Sequence, residues 1–193
     1  MLSDYSIRTM DKREQIIISA IKLFSSKGFQ ATSTTSITQH AGVGTGTLFL
    51  YFKSKDEMIN TIYLEVKGEI ANEICKGISE QASFRGKLKL IWINMVRWAL
   101  QNQEKFLFVE HFSHSPFINN ITKEEAIGSF KFIFDLIHDG VKNEVFGEYN
   151  DEYVFTLLNS HINGTISYIL TSENNVEKLI DQSFMVLWKG LSS

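Results

Sequence analysis

The stretch AGVGTGTLFLYFKSKDE, residues 41–57, restricts the folds open to this chain more than any other. It places glycines at 42, 44 and 46 ahead of the apolar run 48–52 and follows that run at once with Lys53, Ser54 and Lys55. Just upstream, the Thr/Ser-rich residues 32–36 offer N-caps for a short helix with Ile37, His40 and Ala41 inward, ending at Gly42. A second short helix must begin within four residues. Ser54 with Glu57 three positions on forms a capping box, and behind it Ile59, Ile62, Val66, Ile70 and Ile74 run at helical spacing for about five turns. Two short helices joined at a glycine and followed by a long one predict a helix-turn-helix. Gly42 permits the left-handed turn, Val43 plugs the gap between the helices and Leu48 faces the core. At about 100° per residue, Thr45, Gly46 and Phe49 share one outward arc.

That outward arc suits a DNA groove. The major groove admits a helix, and Gly46 has no side chain to hold the backbone off the base edges. Upstream, Asp11 and Glu14 form a further capping box, and Ile17, Ala20, Ile21 and Phe24 fall on one face before Gly28, which predicts a first helix over 11–27. Residues 1–60 hold seven Lys/Arg, Arg8 among them, against five acids, so the excess acid of a chain with net charge −3 lies downstream. The overall charge argues against a chain-wide polycation that coats nucleic acid and leaves local patches open.

The remainder also reads as helices. Leu88, Ile91, Trp92, Met95 and Ala99 define a fifth. Residues 104–112 form a sixth that breaks at Ser115-Pro116, the one proline of the chain. Thr122 caps a seventh with Ile127, Phe130, Phe134 and Ile137 inward. Asn150 caps an eighth carrying Val154, Leu157, Leu158, His161, Ile162 and Ile169, and a ninth spans about 176–190 with Leu179, Ile180, Phe184, Leu187 and Trp188. The expectation is an all-α chain of about nine helices. With 193 residues and 44% hydrophobic content it can bury a sizeable core. Its apolar runs fall far short of the roughly 20 residues that cross a bilayer, and the N-terminus has no apolar leader, so the expected location is cytoplasmic. Cys75 is the only cysteine, so no internal disulfide can form.

At residues 11–60 the chain resembles the TetR family of transcriptional regulators. The resemblance rests on Gly28-Phe29, Thr32-Ser33-Thr34-Thr35, Ala41-Gly42-Val43, Gly46-Thr47-Leu48-Phe49-Leu50-Tyr51-Phe52 and Lys53-Ser54-Lys55-Asp56-Glu57. It implies a three-helix DNA-binding domain at 1–54 and a helical effector-binding and dimerisation domain at 55–193, in a homodimeric repressor that a small molecule releases from operator DNA. It also implies that Thr34 meets a phosphate and Thr35 a base edge, that Thr45, Gly46 and Phe49 face the bases, and that Thr47, Tyr51 and Lys55 reach phosphates. Two departures stand out. The family commonly has tyrosine where this chain has Phe49, and a longer polar or basic residue where Thr45 stands, so direct base readout is sparse.

Helices near 150–171 and 176–190 are expected to pair two copies, because the eighth is apolar over more than one stripe and has small residues at Ser160 and Gly164. Paired recognition helices would lie roughly 34–36 Å apart. For an unknown apolar or aromatic effector, the candidate contacts are Trp92, Phe108, His111, Phe112, Phe130, Phe134, His161 and Tyr168; the alternative for each aromatic is plain core. No cofactor or metal is expected. Glu110, His111 and His114 would be the site of the rival reading, a small helical enzyme or sensor, which lacks a phosphate loop, a nucleophile motif or a larger ligand cluster. A further alternative is an activator, or a ligand sensor that has lost DNA binding.

Overall fold

The computed structural model describes residues 11–172 and 175–192. Residues 1–10, with Arg8 and most of the segment read above for a leader, lie outside them. The described residues form ten α-helices and one 3-10 turn, with no β-strand. They fall into two compact units, one drawn from Met1–Lys67 with Gln103–Ala126 and the other from Gly68–Asn102 with Ile127–Ser193.

The first unit holds α1 (Lys12–Ala31), α2 (Thr34–Ala41), α3 (Thr45–Tyr51), the start of α4 (Lys55–Ile74), α6 (Gln103–Phe112) and most of α7 (Asn120–Gly128). Gly28, at φ 78°, breaks the helical path of α1 where the sequence placed a stop. Phe24 is the centre of the core. It lies 6.4 Å from the Phe108 ring and edge-on to Phe112, while Ile16, Ile37, Leu48, Phe52, Ile59 and Ile62 are fully or almost fully buried. Burying a side chain of this size removes on the order of 2 kcal/mol of apolar hydration cost, so such a cluster is what holds three short N-terminal segments together.

The second unit holds the rest of α4, the 3-10 turn Ile78–Glu80, α5 (Phe84–Gln101), α8 (Lys131–Lys142), α9 (Asp151–Thr171) and α10 (Val176–Leu191). Trp92, Phe184 and Trp188 form its aromatic spine, with Phe84 edge-on to Phe146 at 5.3 Å. Lys89–Asp181 and Arg97–Glu177, each at 3.0 Å, tie α5 to α10 at the surface.

Four local expectations are corrected. Asp11 stands at the N-cap of α1 but makes no side-chain capping bond. His40 is exposed, with Nδ1 3.0 Å from the Ser19 hydroxyl. Asn119, whose side chain accepts from the Thr122 N–H at 2.8 Å, displaces Thr122 as a cap. The predicted seventh helix is two helices, because the chain leaves helical register between Gly128 and Lys131, and Ile127 faces solvent at 56% exposure. The division at Gly128-Ser129 is what raises the count from nine to ten.

Candidate nucleic-acid interface

The α2–α3 turn is built by local bonds. Ser33, not a threonine, caps α2. Its hydroxyl accepts from the Ser36 N–H at 3.0 Å, and the Ser36 hydroxyl accepts from the Ser33 N–H at 3.1 Å. Capping by Ser33 leaves Thr34 half-buried and Thr35 exposed, with neither side chain needed to start the helix. At the other end Gly42 adopts φ 68°, its N–H donates to the Gln39 carbonyl, and the Val43 N–H donates to the Thr38 carbonyl at 3.0 Å. These two bonds satisfy carbonyls that the end of a helix would otherwise leave open, and they turn the chain into α3.

In α3, Leu48 is fully buried and anchors the helix, and Phe52 just beyond it is buried too. Thr45, Gly46, Phe49 and Tyr51 are exposed and Thr47 is half-buried. The helix therefore presents the outward arc that the sequence foretold. Its aromatics divide between core and surface, since Phe52 goes inside while Phe49 remains 47% exposed.

Lys55, expected at a phosphate, bonds backbone of its own chain. Its ammonium donates to the Phe29 carbonyl at 2.9 Å and the Thr32 carbonyl at 3.0 Å, and lies 4.1 Å from the Phe29 ring centre. Two of its three N–H groups are thus spent on carbonyls just past the break at Gly28, of which that of Phe29 also accepts from the Thr32 N–H. Around it the start of α4 is pinned on several sides. The Ser54 hydroxyl accepts from the Glu57 N–H, the Glu57 carboxylate accepts from the Lys53 N–H, and the Arg13 guanidinium pairs with Glu65 while sitting over the Phe52 ring. Glu65 holds the Arg13 pKa above its ordinary value, chiefly through this hydrogen bond.

The effector candidates are divided between the two units. Phe108 and Phe112 belong to the first unit's core, and His111, next to them, is exposed. In the second unit Trp92 lies 5.4 Å from the His161 ring, and His161 Nε2 is 3.0 Å from the Ser183 carbonyl. Phe134 stacks on Phe155 at 4.6 Å, Phe130 is buried, and Tyr168 is 54% exposed. A groove of about 430 Å³ between α9 and α10 is lined by His161, Gly164, Thr165, Tyr168, Ser183 and Val186, among others. Among the described residues, no three His, Cys, Asp or Glu side chains gather as metal ligands.

Sequence reasoning missed two residues. Leu50 is 83% exposed beside Gly46 on the outward arc; its position was legible from the helical period, but an apolar residue there resembled core. Asn60 is buried. Its amide donates to the Asp56 and Phe117 carbonyls and its oxygen accepts from the Asn119 N–H, a cross-link between distant segments that no local pattern announces.

The family described as bacterial regulatory proteins, tetR family, matches residues 16–62. The fatty acid metabolism regulator protein of Bacillus subtilis is 31% identical over 80 residues, 42% of this chain and 41% of that relative. A second Bacillus subtilis relative, the HTH-type regulator YuxN, is 32% identical over 92 residues, so the chain spans well under half the length of these two relatives. Over nearly the whole length, a Shewanella sp. PV-4 protein assigned to the tetR family of transcription regulators is similar in structure, with TM-score 0.86, 28% identity and coverage of 95% of this chain and all of that one. FadR from Bacillus subtilis, solved with stearoyl-CoA, shares the fold at TM-score 0.75 and 18% identity, over 92% of this chain and 98% of that one.

Proposed function

We propose that the chain is a TetR-family transcription regulator rather than an enzyme, and that it acts as a homodimeric, ligand-responsive repressor; the family match at residues 16–62 and the tetR-family neighbour similar over nearly the whole length support this. The observation that carries the DNA-binding part is the outward face of α3, held on a buried Leu48 and aimed by the Gly42 turn. Thr45, Gly46 and Phe49 face base edges, and Thr35 touches one from the start of α2. Thr34, Thr47 and Tyr51 meet phosphates. Lys55 contributes mainly by fixing the start of α4, whose first-turn backbone is what remains at that position for an anion.

A dimer through α9 and α10 is supported by apolar surface left uncovered there, including Tyr153, Tyr168, Met185 and Val186. In the second unit, Trp92 and His161 with Phe130, Phe134 and Tyr168 are the proposed effector contacts. The buried indole N–H of Trp92 has no acceptor among the described residues, which supports an effector carrying an oxygen acceptor on an otherwise apolar body. Effector binding then favours a state whose recognition helices no longer match groove spacing, and the shift equals the difference in affinity for the two states.

Gel shift on the DNA upstream of the protein's own gene, from low to physiological salt, tests this. Binding that weakens with salt and weakens further in Tyr51→Phe is expected. Absence of any shift by the parent at low salt removes the proposal. Acyl-CoA esters are the first effectors to screen for release, given the fold neighbour that holds stearoyl-CoA.

A further inference from the structure

We infer that Leu50 is a specificity determinant: it reads the methyl group of one thymine per half-site. The inference rests on the DNA-binding proposal above. Among the described residues Leu50 is the most exposed of the large apolar side chains, at 83%, on a helix whose opposite side carries the fully buried Leu48. Two residues along a helix are about 200° apart, so Leu50 projects almost directly away from the core, and it lies only about 40° from Gly46. No Cβ at Gly46 crowds it, and apart from the adjoining residues and the helix's own backbone nothing lies within 4 Å of where that atom would be. An unpartnered leucine at this point enters whatever α3 enters.

The chemistry of the face selects the base. Thr45 carries its one side-chain hydroxyl; Gly46, Phe49 and Leu50 offer neither donor nor acceptor. Guanine presents two acceptors and cytosine a donor to the major groove, and Leu50 would strip water from them without replacing the hydrogen bonds. Thymine alone presents a methyl group there. Covering that methyl contributes about 0.8 kcal/mol, or about fourfold in affinity, for each half-site and about fifteenfold for a symmetric pair.

The test uses the full-length protein. Sequences bound by the parent are selected from random DNA, and each thymine of the selected half-site is replaced in turn by uracil, which removes only the methyl. One thymine is expected whose replacement in both half-sites lowers parent affinity about fifteenfold. In Leu50→Ala the same replacement should change affinity less than twofold, while salt-dependent binding to unselected DNA persists as a sign that the exposed substitution leaves the fold intact. Placing 5-methylcytosine at that position should restore part of the affinity that cytosine loses. Two outcomes overturn the inference: every uracil replacement is neutral for the parent, or the sensitive thymine remains sensitive in Leu50→Ala. Both leave the DNA-binding proposal standing, whereas a parent that binds no DNA removes the two together.

Discussion

Lys55 and Lys67 are two lysines of one helix whose roles depend on surroundings that no local pattern reveals. The motif around Lys55 suggests a phosphate contact, yet its ammonium bonds the Phe29 and Thr32 carbonyls. Lys55→Met is expected to lower stability by about 2 kcal/mol, the scale of a charged hydrogen bond lost to partly buried partners, measured as a drop in urea midpoint at constant slope. An unchanged midpoint would show the ammonium is dispensable to the fold. Burial pushes Lys67 down from 10.5 to about 8. Because its folded pKa lies below the unfolded one, the unfolded chain binds the extra proton between those values, and stability rises with pH across that window. Below about pH 8 the folded state bears the full penalty. Lys67→Met should therefore show less increase in stability than the parent between pH 7.5 and 9.5, read from urea midpoints at both. Equal pH dependence in the two proteins would contradict this.

At the scale of elements, two glycines carry different constraints. Gly42 sits at φ 68° with nothing within 4 Å of a would-be Cβ, so its requirement is backbone conformation alone. Gly42→Ala is expected to cost about 1–2 kcal/mol, and Gly42→Asn less, since asparagine tolerates the left-handed region; thermal unfolding of the pair measures the difference. Equal losses would point to a cause other than backbone strain. Gly140 lies inside α8 with ordinary helical neighbours, and a Cβ there would come within 2.6 Å of Phe84 and Phe146. The Gly42 turn was legible because Ala-Gly-Val follows a capped apolar run and the bonding is local. Gly140 was not, because its reason lies in rings 56 residues upstream and six downstream. The split of the predicted seventh helix belongs here too: Asn119 competes with Thr122 for one backbone N–H, and only the packed chain decides between two good caps.

At the scale of the molecule, the apolar surface on α9 and α10 has to meet something. Val186→Asp alters a side chain that is 65% exposed, so one copy should fold normally. In solution this variant is expected to shift from dimer to monomer by light scattering, with unchanged helical circular dichroism and weakened operator binding; a parent that is itself monomeric would end the dimer proposal. The sequence alone determined the helical class, the helix-turn-helix and the outward arc of α3, because caps, glycine turns and 3.6-residue periodicity act over a few residues and leave a local trace. Tertiary structure alone decided that Phe108 and Phe112 serve the first unit's core while Trp92 and His161 meet in the second. Apolar aromatics look alike along a chain, and burial against a partner far away in sequence is settled only when every helix has chosen which face to hide.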